Sequence, residues 1–210
     1  MQTAPTTFAP TSTLQLPTSL RTTAWLLVAL MAVTRQCDFA GVADASWAVF
    51  FLGGLYIGSS RVFGLFMLLA VAVDYVVTQH LGVSSYCLSV AYPFLLPAYA
   101  ALWWAGRWLA RRWQPTRPLR TVALTAVTLA TAVSACFVIS NGSFYWLAER
   151  ASAPSFAGWR ENFTDWYGYF LAVPFAYVSA ILALRAVTLA IRSRVLSRKA
   201  HAHAASLGPG

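Results

Sequence analysis

The chain of 210 residues is 59% apolar and only 10% charged, with a mean hydropathy of +0.60, whereas soluble domains average about 25% charged residues. That balance excludes an ordinary soluble domain and points to an all-α protein with several membrane spans. The net charge of +9 does not point to nucleic acid, because the basic residues sit beside apolar segments, as membrane orientation signals do, and no nucleic-acid-binding motif is present in the sequence.

The first twenty residues, rich in Thr, Pro and Ser, have neither the basic start nor the apolar stretch of a secretory signal. They are expected to form a disordered cytoplasmic arm, 1–20. Six helices are predicted next, in a transmembrane domain over 21–195. The first two apolar segments, Thr22–Arg35 and Trp47–Gly58, are shorter than the 17–25 residues or so of a usual span, so their flanks or neighbouring helices must make up the difference. Gly54 and Gly58 form a GxxxG, expected to serve close helix packing. Phe63–Gln79, Tyr92–Leu109, Leu119–Ile139 and Trp166–Ile191 follow. Pro174 interrupts the last of these and predicts a kink. A basic flexible tail is expected over 196–210.

Charge placement supports an even number of crossings. With both termini cytoplasmic, twelve of the fifteen Lys and Arg residues lie inside and only Arg35, Arg150 and Arg160 outside, a strong positive-inside bias. Asp38, Asp44, Glu149, Glu161 and Asp165 then all fall outside. Trp108 and Trp113 mark the inner boundary, and Trp146, Trp159 and Trp166 the outer one.

This topology places three loops outside: Gln36–Ser46, His80–Ala91 and Ser140–Asp165. They carry the Cys, Asp, Asn, Ser and Tyr residues, and loops held by a rigid scaffold commonly carry function. Asp74 is the one carboxylate within an apolar span. A charge at mid-span costs about 2.5–3.5 kcal/mol and usually faces an internal polar cavity. It is read either as a functional group or as the partner of a tyrosine hydroxyl or helix-end amide. Cys87, thirteen residues on in SSYCLSVAY, has four open readings: an inert small residue, a soft metal ligand, a nucleophile, or one half of a disulfide with Cys37. Cys136 lies within helix 5 and reads as packing. His80 ends helix 3 and reads as a solvated residue, a ligand or a base. CxxC, HExxH, GxxxxGK[ST] and GxGxxG are absent from the sequence.

Asp74, then Cys87 in SSYCLSVAY, then Tyr92, with NGSFYW at Asn141–Trp146, resembles the BtuM family of small bacterial cobalamin transporters. The resemblance extends over about residues 20–195. It implies an S-component-like bundle, similar to the substrate-binding subunits of energy-coupling factor transporters, in the bacterial inner membrane. It implies cobalamin (vitamin B12) as the transported ligand, with Cys87 bound axially to the cobalt. It also implies that Asp74, Tyr86, Tyr92, Asn141, Ser143 and Tyr145 line the corrin pocket, and that Cys87, with Asp74 and Tyr92, takes part in removing the cyano ligand of cyanocobalamin. An energy-coupling module is the implied partner, but helix 1, AWLLVALMAV, departs from the small residues four apart that dock such a partner. Two other classes compete. One is an intramembrane thiol enzyme with Cys87 as nucleophile and His80 as base. The other is a structural membrane subunit, which leaves Asp74 without a purpose.

Overall fold

The computed structural model describes residues 18–36, 43–80, 89–148 and 153–206, and among these it is all-helical. The helices are α1 (Thr18–Gln36), α2 (Ser46–Tyr56), α3 (Ser60–His80), α4 (Leu95–Arg112), α5 (Pro118–Leu147) and α6 (Phe156–Ser206), with one 3-10 turn at Tyr92–Phe94 before α4. Prolines stand in the first turn of two of these elements: Pro93 in the 3-10 turn and Pro118 at the head of α5. Their missing N–H is one that a helix start leaves unpaired in any case.

Three helices, α3, α5 and α6, are long and apolar enough to cross a membrane. Large apolar side chains stand exposed along them, among them Leu65, Leu68, Val127, Leu184 and Leu189. In water such faces mark an interaction surface; on long apolar helices they are lipid-facing, and the chain is a multi-pass membrane protein. α1 and α4 are more polar. Arg107, Arg111 and Arg112 lie on α4, and Thr22, Thr23 and Thr34 on α1.

The short second helix is the centre of the molecule. α2 has 11 residues, of which Ser46 through Leu55 are all buried. At roughly 1.5 Å per residue it is about 16 Å long, and its neighbours shelter it. It packs chiefly on α4, and also on α1, α3 and α6; α4 in turn packs on α5, and α5 on α6. Phe50 stacks on Tyr99 at 4.4 Å and meets Phe63, Phe66 and Trp103 edge-on.

Glycine sets the closeness of the central pair, though not the glycines expected. A Cβ at Gly54 would lie 2.0 Å from the Trp103 carbonyl oxygen, and one at Gly106 would lie 2.1 Å from that of Phe51. The backbones of α2 and α4 therefore touch through Gly54 and Gly106, while Gly53 makes room for the Trp103 ring. Gly58 is not part of this seam. It lies beyond the end of α2 at φ 64, a left-handed conformation that glycine adopts freely, and its N–H bonds the Gly53 carbonyl at 3.0 Å. The Gly54–Gly58 pairing is thus corrected: Gly58 turns the chain into α3.

The third expected loop is also shorter than predicted. α5 runs to Leu147 and α6 starts at Phe156, so Asn141, Ser143 and Tyr145 are helical rather than loop residues. The polar run does not break α5, because its side-chain donors find acceptors within helices. Ser140 donates to the Cys136 carbonyl and Ser143 to that of Ser140, while Asn141 donates to Asn162 of α6. Nothing in 141–147 blocks the helical ladder, and the first proline after it is Pro154. α6 likewise extends beyond the apolar stretch at both ends, with Pro174 inside it.

Candidate functional site

The described acids and Arg35 gather at one end of the bundle. Arg35 is the penultimate residue of α1, Asp44 precedes α2, Asp74 lies six residues before the end of α3, and Tyr92 opens the 3-10 turn before α4. The same end receives the C-terminal part of α5 and the N-terminal half of α6. Six helices that bring these ends together run alternately up and down.

The centre of the site is a buried ion pair that the sequence reading missed. Arg35 meets Asp74 with both teeth of its guanidinium: Nε donates to Asp74 Oδ1, and Nη2 donates to Oδ2 at 2.6 Å. The two side chains are only 10% and 15% exposed. Fork-on-carboxylate geometry of this kind is the strongest and most directional ion pair available to a protein. Tyr92 adds a third bond, its hydroxyl donating to Asp74 Oδ2 at 2.8 Å. The expected tyrosine partner of Asp74 is therefore present, but the arginine is the closer and stronger one.

The remaining Arg35 nitrogen is shared. Nη1 donates to Ser46 Oγ at 2.9 Å and to the Tyr99 hydroxyl at 3.1 Å, and lies 3.6 Å from Asp44 Oδ2. Asp44 in turn accepts from the Ser46 N–H at 2.9 Å and from its hydroxyl, so it occupies one of the unpaired donors that begin α2. Thr34 accepts the Ala45 N–H at 3.1 Å, and Tyr177 of α6 donates to the Ala43 carbonyl at 2.8 Å. One arginine thus ties α1, α2, α3 and α4 together.

Beside this network lies a cavity of about 580 Å³, within the range of about 300–1,000 Å³ usual for ligand sites. Arg35, Asp74, Tyr92, Tyr99 and Asn141 form part of its wall. Trp47, Phe137, Trp166, Tyr169 and Phe170 make the rest broadly aromatic, and Pro174 of α6 borders it. Such a surface offers aromatic packing and hydrogen-bonding groups side by side.

Of the residues singled out from sequence, Asp74, Tyr92 and Asn141 come together on this wall. Ser143 and Tyr145 do not: both are buried, and the Tyr145 hydroxyl donates to the Ser155 carbonyl at 2.9 Å, anchoring the approach to α6. Cys87 and Tyr86, and Cys37 of the candidate disulfide, lie outside the described residues. His80 is the last residue of α3, and Cys136 is fully buried on α5, as a packing residue should be. The signal that identifies Arg35 is its position. It is the cation at the end of an apolar helix, on the side where a membrane-embedded carboxylate needs a partner.

Replacing Tyr92 with Phe removes one bond to an ionised acceptor and leaves the ring in place. A loss of about 1.5–3 kcal/mol in stability is expected, read from denaturant titration of the detergent-solubilised protein by tryptophan fluorescence. An unchanged midpoint would show that the hydroxyl contributes nothing to holding Asp74.

A scan against protein-family models and a search of the curated proteins both find no match to this chain.

Proposed function

We propose that the protein binds cobalamin and carries it across the bacterial inner membrane as a six-span, S-component-like bundle with both termini in the cytoplasm. The observation that carries this reading is the fixed Asp74–Tyr92 pair on the wall of an aromatic cavity, with Cys87 between the two in sequence. Tyr92 lies five positions after Cys87, and chain length alone holds their Cα atoms within about 18 Å of each other.

In this reading α1, α2 and α4 complete the crossings, with α2 short because it is wrapped by protein. The cavity end faces outward, since the opposite end carries most of the basic residues. Cobalamin enters from outside, and the aromatic side chains take the apolar faces of the corrin. Asn141 and Tyr92 hydrogen-bond its amide substituents. The Cys87 thiolate binds the cobalt, a soft ligand on a metal with an exchangeable axial position. The Sγ–Co bond forms as a nitrogen or water ligand leaves. Electron donation from sulfur then weakens the bond on the opposite face, so cyanide departs with its electron pair. Asp74, held by Arg35, fixes the orientation of Tyr92 at the cavity wall. Translocation alone or with an energy-coupling module are both compatible with this site.

The test is the visible spectrum of the purified protein mixed with cyanocobalamin under reducing conditions. Wild type is expected to shift the corrin bands, and Cys87→Ala to abolish the shift. No shift in the wild type, or an equal shift in both, overturns cobalt ligation by Cys87.

A further inference from the structure

A second cavity, of about 700 Å³, lies at the opposite end of the bundle, between the C-terminal ends of α2 and α4, the start of α5 and the second half of α6. It is lined largely by apolar groups, including Leu55, Val122, Leu182 and Leu189; Gln114, Thr121, Thr125, Tyr56 and Arg185 are its polar members, and Arg185 is the one that carries a charge. The Arg185 guanidinium lies 4.3 Å from the centre of the Tyr56 ring. The Tyr56 hydroxyl is buried and has no hydrogen-bond partner among the described residues.

Among the described residues Arg185 has no carboxylate partner. All six acidic residues of the chain are Asp38, Asp44, Asp74, Glu149, Glu161 and Asp165. Of the described ones, Asp74, Glu161 and Asp165 lie in helices toward the far end of the bundle and Asp44 just before α2 at that same end. A second guanidinium reaches the rim, where Arg120 donates to Gln114 of the cavity wall at 2.6 Å. Among the described residues no carboxylate serves this site, which leaves it open to an anion from outside the protein.

The walls indicate what kind of anion. Val122 and Leu189 line the cavity and are themselves 67% and 56% exposed, so the cavity opens onto lipid-facing surface. Trp113 also lines it, partly exposed at the end of α4, as interfacial tryptophans are. Apolar walls continuous with lipid, together with a cation and an unpaired hydroxyl at headgroup level, match an amphiphile. We propose that this cavity binds an anionic phospholipid of the adjacent leaflet. Arg185 and the Tyr56 hydroxyl hold its phosphate, and an acyl chain lies along Leu55, Leu182 and Leu189. Basic pockets between membrane helices bind anionic headgroups by the same physics. The proposal does not depend on what fills the first cavity.

The test is native mass spectrometry of the full chain in detergent with phosphatidylglycerol or phosphatidylcholine added. Wild type is expected to retain phosphatidylglycerol about tenfold over phosphatidylcholine, because the choline ammonium of the latter offsets the phosphate charge that Arg185 attracts. Arg185→Gln is expected to erase that preference, and Arg185→Lys to keep part of it. Tyr56→Phe retains the ring under the guanidinium and is expected to lower phosphatidylglycerol retention about threefold; should Arg185→Gln fail to fold by circular dichroism, this variant decides alone. Equal retention of the two lipids by wild type, or retention unchanged by the substitutions, overturns the proposal. So does displacement of phosphatidylglycerol by an equal concentration of inorganic phosphate, which would mark a free-anion site, or exclusion of lipid by a co-purifying protein seated there.

Discussion

Asp74→Ala is expected to destabilise the bundle by about 3–5 kcal/mol, the usual penalty for removing one member of a buried ion pair. Arg35 is only 10% exposed, and with Asp74 gone its fork faces an empty space. Asp44 is the remaining acid near it, at 3.6 Å from one nitrogen and on a side chain 42% exposed, too distant and too solvated to replace a two-toothed contact. The loss extends beyond the pair, because Arg35 also bonds Ser46 and Tyr99, and a guanidinium that shifts in search of an anion gives up those contacts to α2 and α4. The companion variant Arg35→Met/Asp74→Leu removes both charges, and replacing a buried pair with apolar residues of similar volume is often neutral or stabilising. The double variant is therefore expected to regain most of the stability lost by Asp74→Ala. It also separates two roles for Asp74. A stable double variant that no longer shifts the corrin spectrum assigns Asp74 to the site; one that shifts it like wild type makes the pair purely structural.

Gly106→Ala is expected to cost about 3 kcal/mol, the upper part of the usual range for overpacking. The added methyl would meet the Phe51 carbonyl oxygen at 2.1 Å and the Leu55 nitrogen at 2.8 Å, and both are backbone atoms of a helix buried on all sides. No side chain can rotate away, so α2 and α4 must separate and Phe50, Tyr99 and Trp103 lose their ring contacts. The internal control is Gly64→Ala. Gly64 sits on α3 with nothing within 4 Å of an added Cβ, and there alanine is expected to stabilise by about 0.5–1 kcal/mol through helix preference alone. Both are read from the denaturant midpoint in detergent. Equal effects at the two positions would rule out a glycine-tight seam between α2 and α4.

The helical class and the membrane setting were legible because both are properties of composition and length. A run such as Phe63–Gln79 is apolar whatever its neighbours, and a carboxylate such as Asp74 within it stands out for the same reason. Element ends were less legible. Asn141, Gly142 and Ser143 look like turn residues, yet in α5 they continue the helix, because Asn141 finds Asn162 on α6 and the serines bond carbonyls one turn back. Turn preference is local, and contacts made across helices overrode it.

Sequence by itself therefore determined that this is a helical, multi-pass membrane protein, with six helices among the described residues, whose described acids gather toward one end and whose basic residues lie mostly at the other. Those features follow from per-residue transfer energies and charge, which do not require a partner. Only the tertiary structure decided that α2 is the buried axis, that Gly106 rather than Gly58 faces Gly54, and that Arg35 closes on Asp74. Each of these joins residues far apart in sequence, 39 positions in the case of the ion pair. Such pairings arise from how helices pack and which buried charges must meet, and no local pattern encodes them.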